Sequence, residues 1–198
     1  MTLRAPSNSL MLDAREMLAS WTAPNYQQDQ LRREFLSLAL SEPDAAFRGC
    51  TPDHITASTL IFSADASQVA LLFHPKFGRW LQMGGHCEPS DLTLSAAALR
   101  EATEESGLEI LDLDPLPVLL SRHRVKCWPD GHHFDVQFIA RAQHGATLKC
   151  SVESVDLRWF DLADVRRVSD ESVADLLAAA LARLAALPLP AHVPKFVR

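Results

Sequence analysis

The sequence predicts an α/β fold of the α+β kind, with a strand-rich centre between helical ends. Three observations carry this expectation. Apolar residues recur at helical spacing near both ends of the chain. Between residues 51 and 168, short β-branched runs alternate with turn signals. Within that region a polar loop with paired glycines leads into a helix carrying three glutamates. At 198 residues, 47% of them hydrophobic, the chain can bury a core without disulfide or metal staples.

Residues 1–50 read as a helical extension. Leu10, Met11, Leu12, Met17, Leu18 and Trp21 form a loose apolar stripe that Pro24 stops. A second helix is expected over 27–40, with Leu31, Phe35, Leu36 and Leu38 to Leu40 apolar and Pro43 beyond its end. The pair is expected to pack on the domain or on a second subunit, in preference to serving as a substrate lid or dimer arm.

Residues 51–168 form the central domain. The run 54–62 is a β-branched strand, 63–67 a polar turn, and 68–74 its hairpin partner. Residues 76–79 turn again, and 80–83 lead extended into Gly84-Gly85. The next helix starts near Thr93 or Ser95, either of which suits an N-cap. Leu92, Ala96, Leu99 and Thr103 are expected to face the core, roughly opposite the glutamates, with Ala97 and Ala98 nearer the acidic face. A short strand follows over 109–113, turned by Asp114-Pro115. Residues 116–128 and 132–141 pair as a hairpin around Pro129-Asp130-Gly131. His133, Asp135, Gln137 and Ile139 alternate with Phe134, Val136, Phe138 and Ala140. The polar face, with Arg122, Arg124, His133, Asp135 and Gln137, either lines a cleft or is a wet outer face. Residues 143–151 are a loop or strand end. A late strand over 155–160 ends in Arg158-Trp159-Phe160, before a helical turn at 161–165.

Residues 169–198 are a C-terminal helix and tail packed on the central domain. The helix runs over 171–187 from a Ser169 or Ser172 cap, and Val173, Leu176, Leu177, Ala180, Leu181 and Leu184 are its buried stripe. Pro188 ends it, and the tail with Pro190 and Pro194 is expected to be extended.

The chemistry concentrates in 84–108. Glu101, Glu104 and Glu105 stand at i, i+3 and i+4, which on a helix places them on one face about 5–6 Å apart at Cβ. Like charges so close raise one another's pKa unless a cation sits among them. Carboxylates are hard ligands that suit Mg²⁺ or Mn²⁺. Glutamates on a solvated helix face are commonplace, but these have company. Arg100 can lock a carboxylate through a bidentate pair. Gly107 follows the last turn, where a left-handed residue ends a helix. Gly84-Gly85 allow close backbone approach.

On these residues the segment 85–108 resembles the Nudix box, G-x5-E-x7-R-E-U-x-E-E-x-G-U, where U is aliphatic. Gly85, Arg100, Glu101, Glu104, Glu105, Gly107 and Leu108 match, with Ala102 at the first U position. Asp91 stands where the box has Glu, and eight residues instead of seven separate it from Arg100. That leaves open whether Asp91 reaches a metal. The resemblance implies a mixed β-sheet sandwiched between helices. It also implies a Mg²⁺-dependent (or Mn²⁺-dependent) pyrophosphohydrolase that cleaves, by water attack, a nucleoside diphosphate linked to another moiety. Glu101, Glu104 and Glu105 would be metal ligands and Gly84, Gly85 and His86 would contact the substrate. Arg100 would orient a glutamate, and the general base would be Glu104, another of the three or an acid from elsewhere. Glu153, ahead of the late strand, is a further candidate acid. His123, His132 and His133 are read as structural or exposed.

Competing classes are a Nudix-like nucleotide-sugar sensor, whose usual mark is loss of box glutamates, and a diphosphate isomerase. The glutamates are all present, and Cys87 lacks the wider isomerase pattern. The formal net charge of −6 and the absence of a basic block argue against nucleic acid as partner. Cys50, Cys87, Cys127 and Cys150 form no C-x-x-C pair and read as reduced thiols of a cytoplasmic protein. A zinc site from Cys87, Cys127 and nearby histidines is the lesser reading. The longest apolar run, 176–187, is broken by Arg183, and no signal peptide is legible, so no membrane partner is expected. Helical appendages suit a homodimer.

Overall fold

The computed structural model describes residues 6–48, 52–75, 77–124, 130–150 and 155–186. Its organising strand is β1 (His54–Phe62), in which all nine residues are buried. A strand that apolar (Ile55, Ala57, Leu60, Ile61 and Phe62 among its residues) needs cover on both faces and partners on both edges. On one edge it runs parallel to β7 (His132–Ala142) over its whole length, from His54 opposite His133 to Phe62 opposite Arg141. Its other edge is shared. The first half pairs antiparallel with β4 (Met83–His86) and the end with β2 (Gln68–His74).

Shorter strands extend the sheet from both sides. β3 (Arg79–Leu81) and β8 (Asp156–Asp161) pair with β2, while β5 (Leu111–Leu113) and β6 (Leu119–Arg124) pair with β7. Splitting strand edges between two partners curls this mixed sheet. β5 is shorter than the 109–113 expected, because Glu109 and Ile110 are exposed and do not join the ladder. The loop tip at 125–129, with the expected turn residue Pro129, lies outside the described residues, as do Glu153, Cys50, Cys127 and the tail with Pro190 and Pro194.

Helices cover both faces. On one, α3 (Leu94–Ser106) packs Leu94, Ala97 and Ala98 with Ile55, Ala57, Phe134, Val136 and Phe138. On the other, α5 (Glu171–Ala186) lays Val173, Leu176, Leu177 and Ala180 over Leu60, Phe62, Leu71 and Ile139. A short turn, α4 (Val165–Val168), precedes it. Leu181 is 39% exposed and falls off the expected stripe.

The N-terminal helices α1 (Pro6–Ser20) and α2 (Tyr26–Ser41) share the core under α3. Leu10, Met11, Leu18 and Phe35 are fully buried, each contributing about 1.5–3 kcal/mol of hydrophobic burial. Polar contacts set the register of this docking. Gln28 brackets β6, its side-chain amide donating to Leu120 O (3.0 Å) and accepting from Leu120 N (2.8 Å). Trp21 Nε1 donates to Pro117 O at 2.8 Å, and Asp13 accepts from Leu94 N at 2.8 Å, at the start of α3. Leu40, one of the apolar positions of the second helix, is 63% exposed.

Candidate active site

The start and end of α3 follow from its sequence. Thr93 caps it, its Oγ1 accepting from Ala96 N at 3.0 Å. Gly107 ends it in the left-handed conformation, φ 67°, where a Cβ would also meet Lys149 at 2.6 Å. Which face is buried differs from the expectation. The buried residues are Leu94, Ala97, Ala98, Ala102 and Ser106, whereas Leu92 and Ala96 are exposed and Leu99 and Thr103 only partly covered. The alanines let the helix axis approach the sheet closely, so small size, not greater hydrophobicity, selects the inner face. The buried stripe therefore flanks the glutamates and does not oppose them. Glu101 is drawn partly inside.

Arg100 organises the acidic face. Its Nε and Nη2 donate to the two oxygens of Asp91 at 3.1 and 3.0 Å, a bidentate clamp on a carboxylate that is itself 6% exposed. Nη1 donates to Glu101 (3.0 Å) and to Glu104 (3.1 Å), and Nη2 also reaches the His86 carbonyl at 3.0 Å. Asp91 further accepts from Glu88 N at 2.7 Å, closing the turn that takes up the additional residue before the helix. Its shorter side chain is enough, because the loop brings its backbone to the guanidinium.

The three glutamates have different environments. The Glu101 side chain is 16% exposed and that of Glu104 58% exposed. Burial raises the Glu101 pKa, hydrogen bonding and charge from Arg100 oppose the rise, and the neighbouring Glu104 and Glu88 add to it. Desolvation is thus a larger cause than the repulsion anticipated from spacing. Glu105 turns to the strand, accepting from Gly84 N at 2.8 Å. Gly85 lies against Glu101. A Cβ there would sit 2.7 Å from a Glu101 oxygen, and one on Gly84 would sit 2.3 Å from Ser58 Cβ, on the opposite side of β4.

That alternation decides where His86 goes. Gly85 faces α3, so the His86 side chain projects to the other face of the strand. There its ring stacks on His54, with His133 edge-on to both. Burial is the first cause lowering the pKa of His86 to about 4 and of His133 to about 3, and the charges of neighbouring histidines and Arg48 lower them further. Beside them Asp135, 4% exposed, accepts from Thr56 Oγ1 (2.9 Å), Ser58 Oγ (2.6 Å) and Gln137 Nε2 (3.0 Å). His54, Thr56, Ser58, Asp135 and Gln137 are buried, whereas His86 and His133 keep partial exposure at the edge of this polar layer, so it is not a wet outer face. Arg122 and Arg124 stand opposite Phe134 and His132, on the other face from His133, and Arg122 pairs with Glu34 of α2 at 3.2 Å. Cys87 packs with the apolar core and burial pushes its thiol up to about 12, so it is an inert packing residue, apart from the histidines.

A family model described as NUDIX domain matches residues 52–181, more than half of the chain. The chain belongs to the Nudix family. It is a Nudix hydrolase, acting on a diphosphate bond. A Nudix-family hydrolase from Clostridium perfringens superposes with a TM-score of 0.55 and 25% identity, over 66% of this chain and 97% of that one. The Ap4A hydrolase of C. elegans gives 0.56 and 21%, over 67% and 98%. The NUDIX domain of Shewanella oneidensis NrtR, complexed with ADP ribose, gives 0.52 and 22%, over 66% and 87%. The last two show the fold. No curated protein matches the chain.

Within this Nudix site, Arg100, Glu101, Glu104, Glu105, Gly84 and Gly85 gather at one junction of strand, loop and helix, while the His86 ring lies across β4 from it. Asp91 serves there as the anchor of Arg100. Sequence reasoning put Asp135 and Gln137 on a polar face but missed the partners that His54, Thr56 and Ser58 supply from β1. The signal for them was the matching period of two in 54–58 and 133–137, which is informative only once the two strands are known to pair in parallel.

Proposed function

We propose that this Nudix enzyme hydrolyses the diphosphate bond of a nucleoside diphosphate linked to a second moiety, with Mg²⁺ or Mn²⁺ held by Glu101, Glu104 and Glu105. The observation that carries the reading is Glu101, a half-buried carboxylate wedged against Gly85 and desolvated beyond what Arg100 offsets. An all-oxygen donor set with unbalanced negative charge fits a hard divalent cation. When bound, that ion supplies neutralisation of the phosphate charge and an acidified, aligned water.

The chain's own groups supply the rest. Arg100, clamped by Asp91, orients Glu101 and Glu104 and ties the His86 carbonyl to the helix. The Gly84 N–H holds Glu105, the missing Cβ of Gly85 leaves room for the Glu101 carboxylate, and the His86 carbonyl ties the loop to Arg100. Glu104, the more exposed partner of Arg100, has room to accept the proton of the attacking water. Relatives crystallised as an Ap4A hydrolase and as an ADP ribose complex support a nucleotide derivative as substrate. The free thiols Cys87 and Cys150 suit a cytoplasmic enzyme.

The test is phosphate release, after phosphatase coupling, from a panel of nucleoside diphosphate derivatives with Mg²⁺. Turnover of one compound that a Glu104→Gln, Glu105→Gln variant loses is the expected result. Tight, Mg²⁺-dependent binding without turnover across the panel would replace the hydrolase with a sensor.

A further inference from the structure

We propose that His54, His86 and His133 form a second metal site, distinct from the glutamates, that takes Zn²⁺ or a divalent ion of similar softness. The three residues come from three strands of one sheet. His54 and His133 are direct partners across the parallel β1–β7 pair, and His86 ends β4 on the other edge of β1. Their ligand-type nitrogens all lie within 4.8 Å of one another, and the Nε2 atoms of His54 and His86 are 3.1 Å apart.

The geometry is close to what a metal requires. With Zn–N bonds of about 2.0–2.1 Å, two tetrahedral ligand nitrogens stand roughly 3.4 Å apart. The His54–His86 pair already meets this, and His133 closes the remaining gap by side-chain torsion. The Nε2 of His133 is buried and has no hydrogen-bond partner, a cost that ligation removes. Two facing imidazole nitrogens share one proton at best, whereas a central cation uses both lone pairs. Asp135 is occupied by Thr56, Ser58 and Gln137, so the donor set is imidazole alone. Imidazole selects Zn²⁺, Cu²⁺ or Ni²⁺ over Mg²⁺, the reverse of the carboxylate site. Three histidines leave a fourth position for water or another ligand, the pattern of zinc sites that do chemistry.

The test is direct and needs no substrate. The protein is dialysed against Zn²⁺ in excess Mg²⁺, and metal per chain is counted by atomic emission. Co²⁺ is then substituted and the visible absorption of a tetrahedral centre is read. About one zinc per chain is expected both in the wild type and in the Glu104→Gln, Glu105→Gln variant. His86→Ala and His133→Ala should each weaken binding by about a hundredfold or more and abolish the cobalt bands. Melting curves identify any variant that fails to fold, and His86→Ala, at a partly exposed ring, decides if His133→Ala does. No zinc retained by the wild type, or retention unchanged by His86→Ala, overturns the proposal, and the trio is then a packed histidine stack. Loss of zinc in the glutamate variant alone would also overturn it, by assigning the ion to the carboxylates.

Discussion

Replacing Gly85 by alanine separates catalytic geometry from folding. The added Cβ would lie 2.7 Å from one Glu101 oxygen and 2.8 Å from the carboxyl carbon and the other oxygen. Ordinary contact begins near 3.4 Å, so the carboxylate must retreat by about 0.7 Å. It is the far end of a flexible side chain, and the retreat costs little stability. For a metal ligand, however, a misplacement approaching 1 Å is worth roughly 10- to 100-fold in rate. Gly84→Ala is the matched control. There the Cβ would meet Ser58 Cβ at 2.3 Å and Ser58 Cα at 2.6 Å, atoms that move only if β4 parts from β1. About 3 kcal/mol of destabilisation is expected, a fall of roughly 6–12 °C in Tm. The assays are turnover on the compound that the panel selects, Mn²⁺ affinity by electron paramagnetic resonance, and thermal melting. Gly85→Ala should lose turnover and bind Mn²⁺ more weakly while melting within about 2 °C of wild type. Full activity and full Mn²⁺ affinity in Gly85→Ala would refute the placement of Glu101 at the metal, and a melting loss equal to that of Gly84→Ala would refute the claim that only a side chain gives way.

Three further outcomes are expected. Asp91→Asn removes the charge from a buried bidentate clamp on a partly exposed arginine, and should cost about 2 kcal/mol in urea denaturation together with a lower kcat. Because the folded Glu101 pKa is raised above its unfolded value, the folded state favours the protonated form: the associated stability is present below the unfolded pKa and lost as pH rises through the folded one. Without divalent ions, Glu101→Gln should therefore raise Tm at neutral pH, and the gain should vanish below the ordinary glutamate pKa of about 4.3; an unchanged Tm difference across that range would disprove it. Gln28→Leu orphans both backbone groups of Leu120 and should cost about 2 kcal/mol with kcat unaltered, since the amide lies against β6 and away from the glutamates.

Much of the fold and part of the site were legible in the residues. The strands at 54–62 and 68–74, the Thr93 cap and the Gly107 stop all rest on local rules, namely β-branched runs, capping oxygens and left-handed glycine. Those rules act within a few residues. The inner face of α3 was misjudged because hydrophobicity ranks leucine above alanine, whereas the sheet beneath left space for Ala97, Ala98 and Ala102. Arg122 was placed with His133 because residue type, not register, guided the assignment; pairing of Arg122 with Phe134 puts it across the sheet.

What the sequence by itself determined is the spacing chemistry: Arg100, Glu101, Glu104 and Glu105 share a helix face because 3.6 residues make a turn, whatever surrounds them. Tertiary structure alone decided that Asp91 clamps Arg100, that Glu101 is largely covered while Glu104 is exposed, and that Asp135 meets Thr56 across a sequence separation of 79 residues. It also gathered His54, His86 and His133. Helical periodicity is written within a dozen residues, but the register of two strands so far apart is set by the packing of the whole core, and no local pattern encodes it.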